Sequence, residues 1–259
     1  MTTVFCALKQ EAEPLIKKLG LTPLSATLYE SEDIRLVITG IGKLNAASSA
    51  GFCLGKYGVS DHYINYGTAA GSDEFSGQTF FAGQVIDAGC GKEFFPDIAD
   101  TEFKHISLVT SDVPVAEIYD RCHIYDMEAS GIFSALKNAV TPDRIIFIKT
   151  VTDSGEPDFA KTKKMIYKAS DSVASYIKKI SVLPSVSSQE NEDLLNELCE
   201  EFKCSESMRV QLKQYVKYQR VSGNLTTLSS RIASLREDGL LPAPDRRHGK
   251  QALSQLMDG

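Results

Sequence analysis

Carboxylates that follow apolar runs are the residues of this sequence best placed to do chemistry. The segment "YDMEASG" carries Asp126 and Glu128, "KTVTDSGEPD" carries Asp153, and "LKQEAE" carries Glu11 and Glu13. Burial raises the pKa of a carboxyl group and a nearby donor or cation lowers it, so carboxyls in different surroundings can divide acid and base duties. We therefore predict a site in which acids move protons or hold a polar substrate.

Each of these acids also has a purely structural interpretation. An acid in the first turn of a helix often only complements the helix dipole, which applies to Glu11, Glu13 and Glu128. Asp153 could equally cap a helix or close an Asx turn. Its position after a β-branched apolar run and before Ser-Gly favours the rim of a pocket.

Several other kinds of site are disfavoured. None of the four histidines stands near a serine or cysteine in a nucleophile setting, and G-x-S-x-G is absent. The six cysteines are scattered, without C-x-x-C or a histidine at ligand spacing, so we predict no metal and no cofactor. The turn "GIGK" has neither the Walker A nor the Rossmann glycine spacing.

The elements that must position these acids alternate between strand and helix along the chain. This alternation predicts an α/β fold with a largely parallel sheet, whose ligands sit at the carboxyl ends of the strands. Runs of strand character end after Ala7, Ile38, Tyr66 and Val151, so a shared pocket is expected there. Gly67 is expected to end its strand, with residues 68–78 forming a loop.

Composition and charge narrow the setting. The chain has 259 residues and a net charge of −6, which gives no overall attraction to nucleic acid or an anionic membrane. The apolar run at its N-terminus is too short for a signal peptide, and no stretch reaches the roughly 18 apolar residues of a membrane span. We predict a soluble cytoplasmic protein with reduced thiols and no membrane partner.

The composition changes near the C-terminus. We predict one domain over residues 1–182, a Ser-rich linker over 183–193 and a helical extension over 194–259. From Ser205 onward nine Lys and Arg oppose five acids, a net charge of +4. An appendage that packs on the core or on a partner is the favoured interpretation, and nucleic-acid binding is the alternative.

The order of five motifs carries more information than any one of them. "FCALKQEAEPL", "ITGIGKLNAA", "INYGTAAG", "YDMEASGIF" and "KTVTDSGEPD" follow one another along residues 3–180. This succession resembles the superfamily of purine nucleoside phosphorylases and 5′-methylthioadenosine/S-adenosylhomocysteine nucleosidases, in particular the nucleosidase branch. The resemblance implies a three-layer α/β fold around a mixed central sheet, with the helical C-terminal extension lying outside it.

The resemblance also implies a reaction, which is cleavage of the N-glycosidic bond of a 5′-modified adenosine. Asp153 would be the general acid that protonates the purine, because the base leaves poorly as an anion. Glu128 would hold the ribose hydroxyls and Met127 would pack on the ribose. Glu11 would orient or deprotonate the attacking water, as one group does in other glycoside cleavage.

The remaining site residues follow from the same resemblance. Asp126 would support the ribose contacts or cap the following helix. Residues two apart on a helix point about 200° apart, so Glu11 and Glu13 cannot both face one pocket, and the resemblance selects Glu11. Further substrate contacts are expected from Thr39, Ile41, Thr68 and Thr152.

Three alternatives remain within this resemblance. A phosphorylase would need cations for phosphate, but Arg35 is the sole arginine from Met1 to Lys104, which leaves Lys43 and backbone amides. Water is therefore the favoured nucleophile, and a non-catalytic nucleoside-binding protein is the other alternative.

No aromatic residue follows Asp112, where the family has a phenylalanine that stacks on the purine. Candidate replacements for this phenylalanine are Phe94, Phe95 and Tyr119. The resemblance also implies that the protein assembles as a homodimer.

Overall fold

The computed structural model describes residues 1–96, 102–116, 118, 120–155, 158–181, 189–221 and 225–258. The chain divides into two compact units, Met1–Leu183 and Pro184–Gly259. None of the helices in these described ranges is long and apolar enough to cross a membrane.

The first unit is built on one mixed sheet. Among the described residues its ten strands are β1 (Thr2–Cys6), β2 (Thr22–Pro23), β3 (Leu28–Glu30), β4 (Ile34–Ile38), β5 (His62–Ala70), β6 (Thr79–Asp87), β7 (Glu93–Phe94), β8 (Lys104–Thr110), β9 (His123–Asp126) and β10 (Ile145–Asp153).

Strand direction brings several strand ends to one edge of this sheet. β1 runs parallel to both β4 and β5, and β5 runs parallel to β10. β6 is antiparallel to β10 and parallel to β8, which in turn is parallel to β9. β9 reaches the end of β5 through the pair Ala70–Tyr125, so this part of the sheet curls back on itself. The carboxyl ends of β1, β5, β9 and β10 consequently meet in one region.

Helices cover both faces of the sheet in the first unit. They are α1 (Lys9–Leu19), α2 (Lys43–Tyr57), α3 (Ala129–Leu136) and α4 (Phe159–Ser181). α1 and α4 share one apolar core with the sheet, and α2 and α3 share the other. The three-layer arrangement around a mixed sheet predicted from the motifs is confirmed.

Alternation along the strands explains the two cores. In β10, Ile146 and Ile148 belong to the α1–α4 core, whereas Ile145 and Phe147 belong to the α2–α3 core. Successive side chains of a strand point to opposite faces, so a strand covered on both faces must be apolar throughout. Lys149 is the charged residue that follows this run, and it is buried too.

The loop predicted for residues 68–78 is wrong in its first three residues. β5 continues past Gly67 to Ala70, because Thr68 and Ala69 pair with Thr150 and Val151 of β10. Small residues such as these suggest a loop from local sequence, but pairing with a distant strand overrides that preference.

The second unit is helical. Its described helices are α5 (Gln189–Glu201), α6 (Glu206–Val221), α7 (Leu225–Glu237) and α8 (Arg246–Asp258). They enclose a core that includes Leu198, Phe202, Leu212 and Leu253.

The predicted linker falls only partly within the described residues. Residues 183–188 lie outside the described residues. Residues 189–193 belong to α5, because a Ser-rich and acidic composition marks a polar segment without preventing a helix.

Candidate active site

A cavity of about 290 Å³ lies where the carboxyl ends of β1, β5, β9 and β10 meet. Eight of the nine residues predicted for the site line it: Glu11, Ile41, Thr68, Asp126, Met127, Glu128, Thr152 and Asp153. Thr39 is not among the lining residues, and its hydroxyl donates to the carbonyl of Gly40 at 2.8 Å. Four of the acids that the sequence analysis selected from three separate segments therefore share one cavity: Glu11, Asp126, Glu128 and Asp153.

Glu11 is held rigidly in the first turn of α1. Its side chain is buried, and one carboxylate oxygen accepts hydrogen bonds from the Thr68 backbone N–H at 2.8 Å and the Thr68 hydroxyl at 2.9 Å. The other oxygen accepts from the Leu8 backbone N–H at 2.9 Å. Glu13 instead pairs with Lys17 at the surface, at 2.9 Å, so the structure brings Glu11 and not Glu13 to the cavity.

Gly67 makes room for this carboxylate. A Cβ atom at Gly67 would lie 2.9 Å from Oε1 of Glu11, closer than real side chains allow. The backbone of β5 thus approaches the acid directly. The next residue, Thr68, donates two of the three hydrogen bonds that Glu11 accepts.

Asp126 and Glu128 surround a buried cation that the sequence analysis missed. Lys149 is only 1% exposed, and its Nζ atom lies 2.8 Å from Oδ2 of Asp126 and 3.8 Å from Oε2 of Glu128. A buried charge requires a partner, so a lysine inside the apolar run "IIFIKTV" was the available signal for a paired site.

Asp126 fulfils one of the two roles proposed for it from sequence, which is capping of the following helix. It accepts from the Ala129 backbone N–H at 3.0 Å, which caps α3, and from the Thr110 hydroxyl at 2.7 Å. Its side chain, paired with Lys149, is fully buried, whereas that of Glu128 is 8% exposed.

The environment of Glu128 shifts its pKa upward. Burial raises the pKa of Glu128, and the neighbouring carboxylates of Asp126 and Glu11 add to this, while Lys149 and the Gly42 N–H oppose it. For Lys149, burial disfavours the charged form, but the carboxylates of Asp126 and Glu128 outweigh it and raise its pKa. Lys149 is thus a permanent cation that favours ionisation of Glu128.

The "GIGK" turn serves a carboxylate. The Gly42 backbone N–H donates to Oε1 of Glu128 at 2.9 Å. Gly40 and Gly42 have φ values of +84° and +99°, which side chains other than glycine rarely adopt. The turn therefore orients the acid expected to bind the sugar.

Asp153 ends β10 at the rim of the cavity. One of its carboxylate oxygens accepts from the Gly155 backbone N–H at 3.0 Å, and the other accepts from the Thr152 hydroxyl at 3.0 Å. The turn interpretation and the pocket interpretation thus both hold, because the turn fixes an acid that lines the cavity.

The two aromatic candidates that the structure describes, Phe94 and Phe95, are not found in the cavity lining. Phe94 is buried against Phe133, with ring centroids 4.7 Å apart, Phe95 is exposed elsewhere, and Tyr119 lies outside the described residues. Phe159 at the start of α4 and Tyr125 of β9 line the cavity instead. Their separation from Asp112 along the chain explains why a local search for an aromatic residue missed them.

The charged groups lining this cavity in the described part of the chain are all acids, namely Glu11, Asp126, Glu128 and Asp153. Lys43, the cation proposed from sequence for a phosphate, is engaged with Asp87 at 3.0 Å and with Asp112 at 2.9 Å. The lining therefore repels anions more than it attracts them.

Comparison with known proteins identifies the fold. No protein-family model and no curated protein matches the chain. Solved structures do match, among them the 5′-methylthioadenosine/S-adenosylhomocysteine nucleosidase of Neisseria meningitidis in complex with methylthio-immucillin-A. It is 19% identical, with a TM-score of 0.59, over 69% of this chain and 98% of that one.

Two further structures agree. The 5′-methylthioadenosine nucleosidase of Arabidopsis thaliana is 18% identical with a TM-score of 0.58, over 72% of this chain and 97% of that one. A nucleosidase of the same type from Chlamydia trachomatis is 16% identical with a TM-score of 0.57, over 70% and 96%. The predicted resemblance is confirmed at the level of the fold.

Proposed function

We propose that this protein hydrolyses the N-glycosidic bond between ribose and purine in a 5′-modified adenosine of the methylthioadenosine or adenosylhomocysteine type. The convergence of Glu11, Glu128 and Asp153 on one cavity carries this proposal. The activities named for the matched structures support the same substrate class.

Departure of the base is assigned to Asp153. The purine leaves poorly as an anion, so an acid that gives a proton to its ring nitrogen N7 lowers the barrier. The hydrogen bonds from Thr152 and Gly155 hold this carboxyl group in one orientation at the rim.

Stabilisation of the sugar is assigned to Glu128. As the bond breaks, the ribose gains oxocarbenium character, and hydrogen bonds from its hydroxyls to an anionic acceptor strengthen. The Gly42 N–H positions this acceptor, and the positive charge of Lys149 favours its ionised form. Met127 and Ile41 supply apolar contacts beside it.

Activation of the nucleophile is assigned to Glu11. Its three hydrogen bonds fix the carboxylate, so it can orient a water molecule or take its proton without reorganising. Water is favoured over phosphate because the lining acids repel a dianion and Lys43 is already paired.

The decisive experiment assays base release from a nucleoside panel with and without phosphate. We expect adenine release that does not depend on phosphate, and a fall in kcat of about 10²- to 10⁴-fold for Asp153→Asn and Glu11→Gln. Glu13→Gln is the matched control, since Glu13 lies on the same helix but pairs with Lys17 at the surface.

Each alternative gives a different outcome. Phosphate-dependent turnover with a sugar 1-phosphate product would identify a phosphorylase. Nucleoside binding by calorimetry without turnover would identify a non-catalytic binding protein. If the wild-type protein neither binds nor cleaves any nucleoside, the proposed function is wrong.

The compartment, the oligomeric state and the cofactor requirement remain as the sequence predicts them. We propose a cytoplasmic homodimer that needs no cofactor. Binding of nucleic acid by the C-terminal helices stays the less favoured prediction.

A further inference from the structure

The segment of residues 111–116, which we call the wall segment, follows β8 and borders the cavity. Val113, Pro114 and Val115 contribute to the lining. Ser111 donates its backbone N–H to the carbonyl of Asp126 at 2.8 Å, and beyond the segment Ile118 donates to the carbonyl of Ser154 at 3.3 Å. Hydrogen bonds on either side of Val113–Val115 therefore lead to Asp126 and to the turn that holds Asp153.

Lys43 connects the wall segment to the body of the fold. Its Nζ atom lies 2.9 Å from Oδ1 of Asp112 in the wall segment and 3.0 Å from Oδ1 of Asp87 at the end of β6. The side chain of Asp112 is 64% exposed, whereas those of Lys43 and Asp87 are mostly shielded. The ammonium group of Lys43 thus joins Asp112, an exposed loop residue, to Asp87, which is mostly shielded.

The fixed side of this connection is well anchored. Asp87 also accepts from the Ser130 hydroxyl at 2.8 Å and from the Gly89 backbone N–H at 2.9 Å. Although burial opposes ionisation, these donors and Lys43 lower the pKa of Asp87 to about 2, so it is ionised at neutral pH.

The backbone of Lys43 is fixed as well. A Cβ atom at Gly131 of α3 would overlap the carbonyl of Lys43, which shows that α2 and α3 are in direct backbone contact at this point. Both ends of the lysine are therefore held by elements that do not belong to the wall segment.

We propose that Lys43 is a positioning residue that holds the wall segment against the nucleobase through Asp112. The inference rests on the proposed function. A base protonated by Asp153 must lie beside that residue, and Ile118, which follows the wall segment in the chain, donates its N–H to the carbonyl of the neighbouring Ser154. Lys43 itself does not line the cavity.

The experiment combines kinetics with hydrogen exchange on Lys43→Met, Lys43→Arg, Asp112→Asn and the double variant Lys43→Met/Asp112→Asn. We expect Lys43→Met and Asp112→Asn each to raise KM about three- to tenfold with kcat nearly unchanged, because ground-state and transition-state binding weaken together. The double variant should cost no more than either single change, since both remove the same interaction. Lys43→Arg should restore most of the affinity.

The control is Lys17→Met, which removes a surface ion pair with Glu13 and should leave KM unchanged. Amides of the wall segment should exchange faster in Lys43→Met and Asp112→Asn without ligand. This readout separates the two proposals, because exchange reports the connection even if the wild-type protein releases no base. Unchanged exchange at residues 111–116 in Asp112→Asn, whose exposed side chain poses little risk to folding, would overturn the inference.

Discussion

Lys149 is the residue on which the charge state of the site depends. It is enclosed with Asp126 and Glu128, and removing one member of a buried charge group leaves the others uncompensated. We therefore expect Lys149→Met to cost about 3–5 kcal/mol of folding free energy. Chemical denaturation of the variant and the wild type measures this.

Lys149→Met should also change how kcat/KM depends on pH. Glu128 has a raised pKa, so its ionised form, which is the one expected to bind ribose, is lost as pH falls through a value above the ordinary one of about 4.3. Lys149 favours that ionised form, so Lys149→Met should raise the pKa further and move the acid limb of kcat/KM to higher pH.

The pH profile of kcat/KM for the folded variant tests this prediction. Glu128→Gln is the control, because it should remove the limb that Glu128 causes. An acid limb at the wild-type position in Lys149→Met would assign that limb to another group.

At the scale of elements, β5 and α1 form the base of the site together. Gly67 of β5 faces the carboxylate of Glu11, which α1 delivers to the cavity. Gly67→Ala should displace this carboxylate and break its bonds to Thr68, so we expect kcat to fall about 10- to 100-fold. Steady-state kinetics and thermal unfolding measure the two effects separately.

Gly83 in β6 provides a matched strand glycine. A Cβ atom there would meet Nδ1 of His105 at 3.7 Å, an ordinary contact, so Gly83→Ala should leave kcat unchanged. Equal losses in both variants would show that any strand substitution disturbs the fold, and would remove the special role of Gly67.

At the scale of the whole molecule, the proposed site belongs to one unit. Every described residue that lines the cavity lies between Ala7 and Ile166, and each unit has its own apolar core. We expect a fragment of residues 1–183 to fold and to retain the kcat/KM of the full chain. Loss of activity in a folded fragment would show that residues 184–259 contribute to catalysis.

The proposed homodimer has a candidate surface on α2. Leu44 and Phe52 are eight residues apart, on one side of the helix, and are 87% and 61% exposed. Exposed apolar side chains grouped in this way favour association with a second copy. Leu44→Glu should shift the dimer to monomer in sedimentation equilibrium, whereas Leu24→Glu, at another exposed leucine, should not. Wild-type association by the Leu44→Glu variant would place the interface elsewhere.

Much of the fold follows from local sequence. The apolar runs that end after Ala7, Ile38 and Val151 predicted β1, β4 and β10. Gly20 ends α1 with a φ of +66°, which is typical of a C-cap glycine. The acids at strand ends could also be found, because ligands of such sheets gather at that edge. These features depend on residues close together in the chain.

Features that depend on distant residues were decided only by the tertiary structure. Strand pairing with β10 extends β5 beyond Gly67, and Phe159 at the start of α4 lines the cavity, whereas the described candidates Phe94 and Phe95 do not. The hydrogen bonds that fix the carboxylate of Glu11 come from Thr68, far along the chain.

Lys149 shows the physical reason most directly. By itself the sequence places a lysine in an apolar strand and acids after other strands, and these types already determine that carboxylate chemistry is available. Folding decides that Lys149 is buried 2.8 Å from Asp126, and burial makes that charge pairing and the raised pKa of Glu128 unavoidable. Residue types therefore determine which chemistry is available, and long-range packing determines which groups are charged and where they meet.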